Sequence, residues 1–241
     1  IEQPLDFSKL FKGEEGDRSK IFTFHITVKN ENGQSISSQK SIIVHRGEFY
    51  AGIQMDKNFL GKGEKTTARI KTVDIEGKAV SIGGILLEIK KISWESYKRK
   101  EVDGNFYYRT EQKKETIKKE TFRTNGDGNA DYEFSLNDPG EYEVALSSED
   151  KRGNRVLSTY DLYVSGSGSV TIRPTNNETL DLATDKKQVG VCEQIKIIIK
   201  SPFDRAKALV TLERGKIFHY DIVSLTNNLV DYTFQVAKEH I

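Results

Sequence analysis

Residues 22–44 read FTFHITVKNENGQSISSQKSIIV, and residues 142–164 read YEVALSSEDKRGNRVLSTYDLYV. Laid over each other 120 positions apart, the stretches match without a gap. Phe22 falls on Tyr142, Phe24 on Val144, Ile26 on Leu146, Gly33 on Gly153, Ile36 on Val156, Ile42 on Leu162 and Val44 on Val164. Apolar residues take every second position, the period of a strand with one buried face. A glycine turn separates the two runs. Each stretch therefore predicts a hairpin, with Phe22, Phe24, Ile26, Tyr142, Val144 and Leu146 pointing inward. A repeat of this kind guides architecture better than residue propensity does.

A second repeat has an offset of 129: Asp56-Lys57, Gly61 and Glu64 recur as Asp185-Lys186, Gly190 and Glu193. Apolar strands follow both, through Ala68 and Ile70 in one and through Ile197 and Ile199 in the other, with Ile197 and Ile199 expected to point inward. Ser165-Gly-Ser-Gly-Ser169 reads as a short flexible joint. The repeats divide the chain into three pieces. Residues 1–47 are the closing strands of one domain, 48–166 a complete domain, and 167–241 the first part of the next. The fold class is all-β, as tandem antiparallel β-sandwiches. Turn signals throughout agree, among them Asn32-Gly33, Glu76-Gly77, Asp103-Gly104, Asn125-Gly126, Asp127-Gly128, Arg152-Gly153 and Arg214-Gly215. A helix is least excluded at Leu5–Phe11. Glu111–Glu120 has good helix formers, but Ile117 is its one apolar residue, so it reads as an exposed strand or hairpin arm.

Composition excludes several classes of function. The 241 residues carry 37 Lys+Arg against 36 Asp+Glu, a net charge of +1 that gives no overall pull toward nucleic acid or acidic lipid. No stretch approaches the ~18 apolar residues of a membrane span. A single Cys rules out an internal disulfide and a thiolate zinc site, and four scattered His argue against a metal centre. The chain starts at Ile1 with no leader pattern and reads as an internal fragment.

Three constellations draw the eye. Cys192-Glu193-Gln194 resembles an internal thioester, but that motif is Cys-Gly-Glu-Gln, with Gln one position further on. Cys192 also stands opposite Gly63 in the repeat, at a strand entry. Asn125-Gly-Asp127-Gly-Asn129-Ala-Asp131 resembles half a calcium loop, yet Tyr132 and Asp138 stand where Gly and a bidentate Glu would be needed, leaving a tight glycine turn. Residues 90–123 carry 11 Lys/Arg against 6 Asp/Glu, with Trp94, Tyr97, Phe106, Tyr107 and Tyr108 among them. This resembles a single-strand nucleic-acid surface. The alternating signs around Asp103-Gly104 fit a solvated hairpin with aromatic cross-strand pairs. No catalytic, cofactor or metal set is recognised, so an enzyme is not expected.

Gly47-Glu-Phe-Tyr50-Ala-Gly52-Ile53, Asp56-Lys57 and Gly61 resemble the start of a macroglobulin-like domain of the bacterial alpha-2-macroglobulin family. Val73-Asp74-Ile-Glu-Gly77-Lys-Ala-Val80 is similar to the strand–turn–strand that follows, and Tyr163-Val164-Ser165-Gly166 to its exit. Ser201-Pro202-Phe203 and Ala208–Gly215 resemble the start of the region that carries the bait. The resemblance implies a protease trap: cleavage of a bait rearranges the domains and encloses the protease. It implies endopeptidases and neighbouring macroglobulin-like domains as partners, no nucleic acid, no cofactor, and a periplasmic or cell-envelope address. No functional residue of the family finds a counterpart, and no bait is seen. This piece is then expected to be non-catalytic frame. The alternative is a stalk or adhesin that binds a surface ligand.

Overall fold

The computed structural model describes residues 19–100, 106–166, 170, 180–186, 188–203 and 205–240. Nearly all of these lie in strands or turns. Strands β1 (Lys20–Lys29) and β2 (Ser35–Val44) form a hairpin. Eight strands follow: β3 (Phe49–Met55), β4 (Phe59–Gly61), β5 (Lys65–Asp74), β6 (Ile85–Lys100), β7 (Phe106–Phe122), β8 (Asn129–Ser135), β9 (Gly140–Glu149) and β10 (Arg155–Ser165). They build a sandwich from a three-stranded sheet, β3-β5-β8, and a five-stranded sheet, β4-β10-β9-β6-β7, in which only β4 and β10 run parallel. The last strands are β11 (Asp181–Thr184), β12 (Gln194–Lys200), β13 (Ala206–Glu213), β14 (Ile217–Leu225) and β15 (Leu229–Gln235). They form a sheet β11-β12-β15 and a hairpin β13-β14.

The middle sandwich has one continuous core. Phe49, Ala51, Met55, Ala68, Ile70 and Phe134 face it from the smaller sheet, and Ile85, Leu87, Ile89, Tyr142, Val144, Leu146, Leu162 and Val164 from the larger. Alternation explains the division: each strand turns every second side chain inward, and in β9 these are Tyr142, Val144 and Leu146, as expected. The Tyr142 hydroxyl satisfies itself by donating to the Asp138 carbonyl at 2.7 Å, and burial pushes its pKa up to about 12.

Both repeats are structural. Phe22 pairs with Ile42 as Tyr142 pairs with Leu162, and the ladders β1-β2 and β9-β10 keep one register throughout. Met55 pairs with Ala68 as Thr184 pairs with Ile197, and Lys65 sits at the start of β5 as Gln194 does in β12. One turn recurs four times among the described residues, at Asn30, Asp74, Asn125 and Asp150. In each, the side-chain oxygen of the first residue accepts from the N–H four positions on, at 2.8–2.9 Å. Its carbonyl accepts from the N–H of a glycine in the left-handed region: Gly33, Gly77, Gly128 or Gly153.

Several expectations need correction. Phe22 and Phe24 are only half-buried and Ile26 is 63% exposed, and none of the three joins a core among the described residues. Their hairpin has the inward-facing pattern of β9-β10, but no second sheet covers it among the described residues. Ile199 is buried while Ile197 is half-buried. Ser165 does not begin a joint: it ends β10, is buried, and accepts from Lys62 N at 3.1 Å. The rest of that segment beyond Gly166, the Leu5–Phe11 stretch and the Asp103-Gly104 tip lie outside the described residues. The arm through Glu111–Glu120 is a strand, as expected, but its aromatics do not pair with one another. Phe106, Tyr107 and Tyr108 stand opposite Lys100, Arg99 and Lys98, because the two runs are equidistant from residue 103.

Candidate functional site

The residues weighed from the sequence take defined places in the turns and strands. The Asn125 carboxamide oxygen is taken up by the N–H groups of Asp127 and Asn129, at 3.0 and 2.9 Å, which closes the turn. Cys192 is exposed and has φ 65°, matching Gly63 at φ 74°. Its N–H donates to the Val236 carbonyl, as that of Gly63 donates to the Leu136 carbonyl. It therefore performs the strand entry that the repeat assigns to a glycine. On the basic hairpin, charges meet across the strands: Lys113 with Glu95 at 2.6 Å, Lys114 with Glu143 at 2.5 Å, and Lys119 with Glu88 at 4.0 Å. Trp94 donates its indole N–H to Glu141 at 3.0 Å.

The side chains that converge do so at the two ends of the middle sandwich. At the first end Tyr50 of β3 collects the incoming chain. Its hydroxyl lies 2.7 Å from Ser19 Oγ and 2.5 Å from His45 Nδ1. Asp150, in the β9-β10 turn, accepts from Glu48 N at 3.1 Å, and Arg152 pairs with Glu48 at 2.9 Å. Burial tends to raise the Asp150 carboxyl. Its bonds from the Asn154 side chain and from the N–H groups of Asn154, Arg152 and Glu48 outweigh that and hold it below the usual carboxylate range. Gly47 suits this approach, since a Cβ there would stand 3.0 Å from the Val156 side chain, which would have to give way.

At the opposite end a small apolar cluster spans the sandwich and the last sheet: Phe59 of β4, Val170, Ile198 of β12 and Leu229 of β15, flanked by Tyr163 and Ala183. Lys196 and Lys200 lay their ammonium groups over Phe59 and Tyr163, 5.6 and 4.0 Å from the ring centres. Asn58 links the two bodies. It donates to the Thr184 and Asp185 carbonyls at 3.1 and 3.3 Å and accepts from the Tyr160 hydroxyl at 2.5 Å. Asn227 donates to the Gly166 carbonyl at 2.7 Å. The strand entries that lead here are themselves tied. Glu64 accepts from Lys57 and from Gly61 N, and Glu193 from Lys186 and Gly190 N, so both carboxyls are lowered by these bonds.

This arrangement holds neighbouring sheets in a set relation, and among the described residues of these two ends no nucleophile is paired with a base. Residues 52–165 match the model of the bacterial macroglobulin domain 6 family. Across 206 residues, 83% of the chain, it is 23% identical to an alpha-2-macroglobulin of Rickettsia conorii and 24% identical to one of Pasteurella multocida.

Its middle domain belongs to the bacterial macroglobulin domain 6 family, and the chain is similar to bacterial alpha-2-macroglobulins.

It spans about a tenth of the length of these curated relatives: 11% and 10%. Among solved structures, Salmonella alpha-2-macroglobulin reacted with methylamine covers 94% of the chain at 11% identity and a TM-score of 0.46. The native conformation of the Escherichia coli protein covers 91% at 14% identity and a TM-score of 0.45. The chain spans 15% of each. In this chain, the junction residues Asn58, Phe59 and Ile198 are the ones that reading the sequence passes over. A signal for them exists. The repeat Asp56-Lys57/Asp185-Lys186 breaks at the next two positions, where Asn58-Phe59 faces Lys187-Gln188.

Proposed function

We propose that this chain is a non-catalytic frame section of an alpha-2-macroglobulin-type endopeptidase inhibitor, divided at 1–47, 48–166 and 167–241. The observation that carries this reading is the coupling at the far end of the middle sandwich. There Phe59, Ile198 and Leu229 form one apolar cluster, with Asn58 bonded to both bodies. A trap works by moving domains as bodies, and a body must stay intact while its neighbours move. Buried apolar contact and hydrogen bonds at a joint resist such bending. The middle domain's membership in the bacterial macroglobulin domain 6 family supports the reading. The proposed partners are endopeptidases, and the proposed address is the periplasm or cell envelope, which cell fractionation tests.

The test uses the natural protein that contains this chain, incubated with a panel of endopeptidases. Activity is read on a large protein substrate and on a small peptide. Enclosure of the protease predicts loss on the large substrate and retention on the small one, since only size distinguishes them. Asn58→Ala with Ile198→Ala should weaken that effect without altering cleavage of the protein itself. Undiminished activity on the large substrate with every endopeptidase would overturn the reading and favour a stalk that binds a surface ligand.

A further inference from the structure

On the outer face of the larger sheet of the middle sandwich, the registers line up two rows of residues. Leu86 pairs with Thr121 on one side and Ser147 on the other, and Ser147 pairs with Leu157. Two residues along each strand, the next row is Arg123, Gly84, Glu149 and Arg155, with Glu149 paired to Arg155. Glycine leaves a notch in that row: Gly84 has φ 70°, and a Cβ there would meet nothing within 4 Å. The notch belongs to a cavity of about 430 Å³ lined by Gly83, Gly84, Leu86, Ser147, Glu149 and Arg155. Gly83 is bare for a different reason. A Cβ there would stand 2.5 Å from a guanidinium nitrogen of Arg123, which lies against the main chain. Arg123 and Arg155 make no hydrogen bond or ion pair among the described residues, and the Ser147 hydroxyl makes no hydrogen bond there.

We infer that this notch binds the carboxyl end of a peptide, with the carboxylate between Arg123 and Arg155 and the last side chain on Leu86. Charge selects the ligand. Two guanidiniums and the Glu149 carboxylate leave one positive charge at the cavity. One carboxylate balances it, whereas a phosphate dianion exceeds it. The acids next door do not compete for the arginines. Beyond Gly83 and Glu149 an adjoining hollow holds Glu48, Asp74 and Asp150. Glu48 is paired with Arg152, Asp74 accepts from Glu76 N and Lys78 N, and Asp150 accepts from Glu48 N, Arg152 N and Asn154 N. The span fits as well. β7 and β10 lie three strand spacings apart, about 14 Å at ~4.8 Å each, a gap that two arginine side chains reaching inward narrow to the width of one carboxylate. The Ser147 hydroxyl adds a donor, and half-buried Leu86 beside Leu157, 40% exposed, supplies an apolar floor. Charged forks beside an apolar floor suit a terminal residue better than a bare anion. Every residue of the notch belongs to the middle sandwich.

The experiment is an amide NMR titration of the isotope-labelled 241-residue chain with acetyl-Ala-Ala-Leu bearing a free carboxylate. Parallel titrations use the same peptide as its C-terminal amide, acetyl-Ala-Glu-Ala amide, whose carboxylate is on a side chain, and inorganic phosphate. The free-carboxylate peptide should give saturable shifts at Gly83, Gly84, Leu86 and Ser147, and its amide none. Arg123→Gln and Arg155→Gln should each weaken binding about tenfold, the loss of a charge-assisted hydrogen bond. Gly84→Asn keeps a residue that tolerates the left-handed backbone and fills the notch. It should abolish the shifts while the urea midpoint stays near that of the unaltered chain. Absence of saturable shifts with the free-carboxylate peptide would overturn the inference. So would equal binding of the amide, of the side-chain carboxylate or of phosphate, or binding that the arginine variants or Gly84→Asn leave undiminished.

Discussion

Gly77, Gly128 and Gly153 occupy the same place in the same turn of the middle sandwich, with φ of 86°, 70° and 76°. Their surroundings differ. A Cβ at Gly77 or Gly153 meets nothing within 4 Å, whereas one at Gly128 would stand 2.3 Å from the Thr72 carbonyl oxygen and 3.2 Å from that of Val80. Replacing any of them with Ala incurs the left-handed backbone cost of about 1–2 kcal/mol, less about 0.4–1 kcal/mol regained from a stiffer unfolded chain. Gly77→Ala and Gly153→Ala should therefore destabilise by about 1 kcal/mol. Gly128→Ala must also part the turn from β5. That movement breaks the bond from Thr72 N to the Gly128 carbonyl, 2.8 Å, and disturbs the buried pair Thr72 Oγ1–Thr124 Oγ1, also 2.8 Å. Each buried polar group left unmatched costs about 1–3 kcal/mol, so the total is about 3–5 kcal/mol. Urea unfolding followed by fluorescence reads this domain selectively, because Trp94 of β6 is the one tryptophan. A Gly128→Ala midpoint within ~0.5 kcal/mol of that of Gly77→Ala would refute the reasoning and show that the turn does not press on β5.

Cys192→Gly should stabilise the last sheet by about 0.5–1 kcal/mol, the left-handed cost less the entropy of glycine, as slower hydrogen exchange in β12. Asp150 has a folded pKa below its unfolded value near ~3.9, so its contribution is present above that pH and is lost as pH falls through the lower, folded value. Asp150→Asn should keep the turn, which Asn30 and Asn125 already build with an amide. It should flatten the acid limb of a Trp94 fluorescence titration from pH ~5 to ~2; an unchanged limb would count against the clamp. Leu146→Ala, at a fully buried position, should cost about 2–5 kcal/mol in the urea assay, while Ile26→Ala in the exposed hairpin should fall within ~0.5 kcal/mol.

Reading the residues was sufficient for the class, the two hairpins and both repeats. Strand alternation and glycine turns are local patterns, and two copies in one register are visible before any folding. Cys192 was legible in the same way, since its place opposite Gly63 already marked a backbone position. Which apolar faces are covered was not legible. Ile26 and Leu146 carry the same pattern, and only the presence of an opposing sheet makes one exposed and the other core. The joint at Asn58, Phe59 and Ile198 was likewise decided in three dimensions. A junction is formed by residues about 140 positions apart that alternate correctly on their own strands. Periodicity says which side of a strand is apolar. What that side meets depends on how the sheets stack, and burial follows from the meeting.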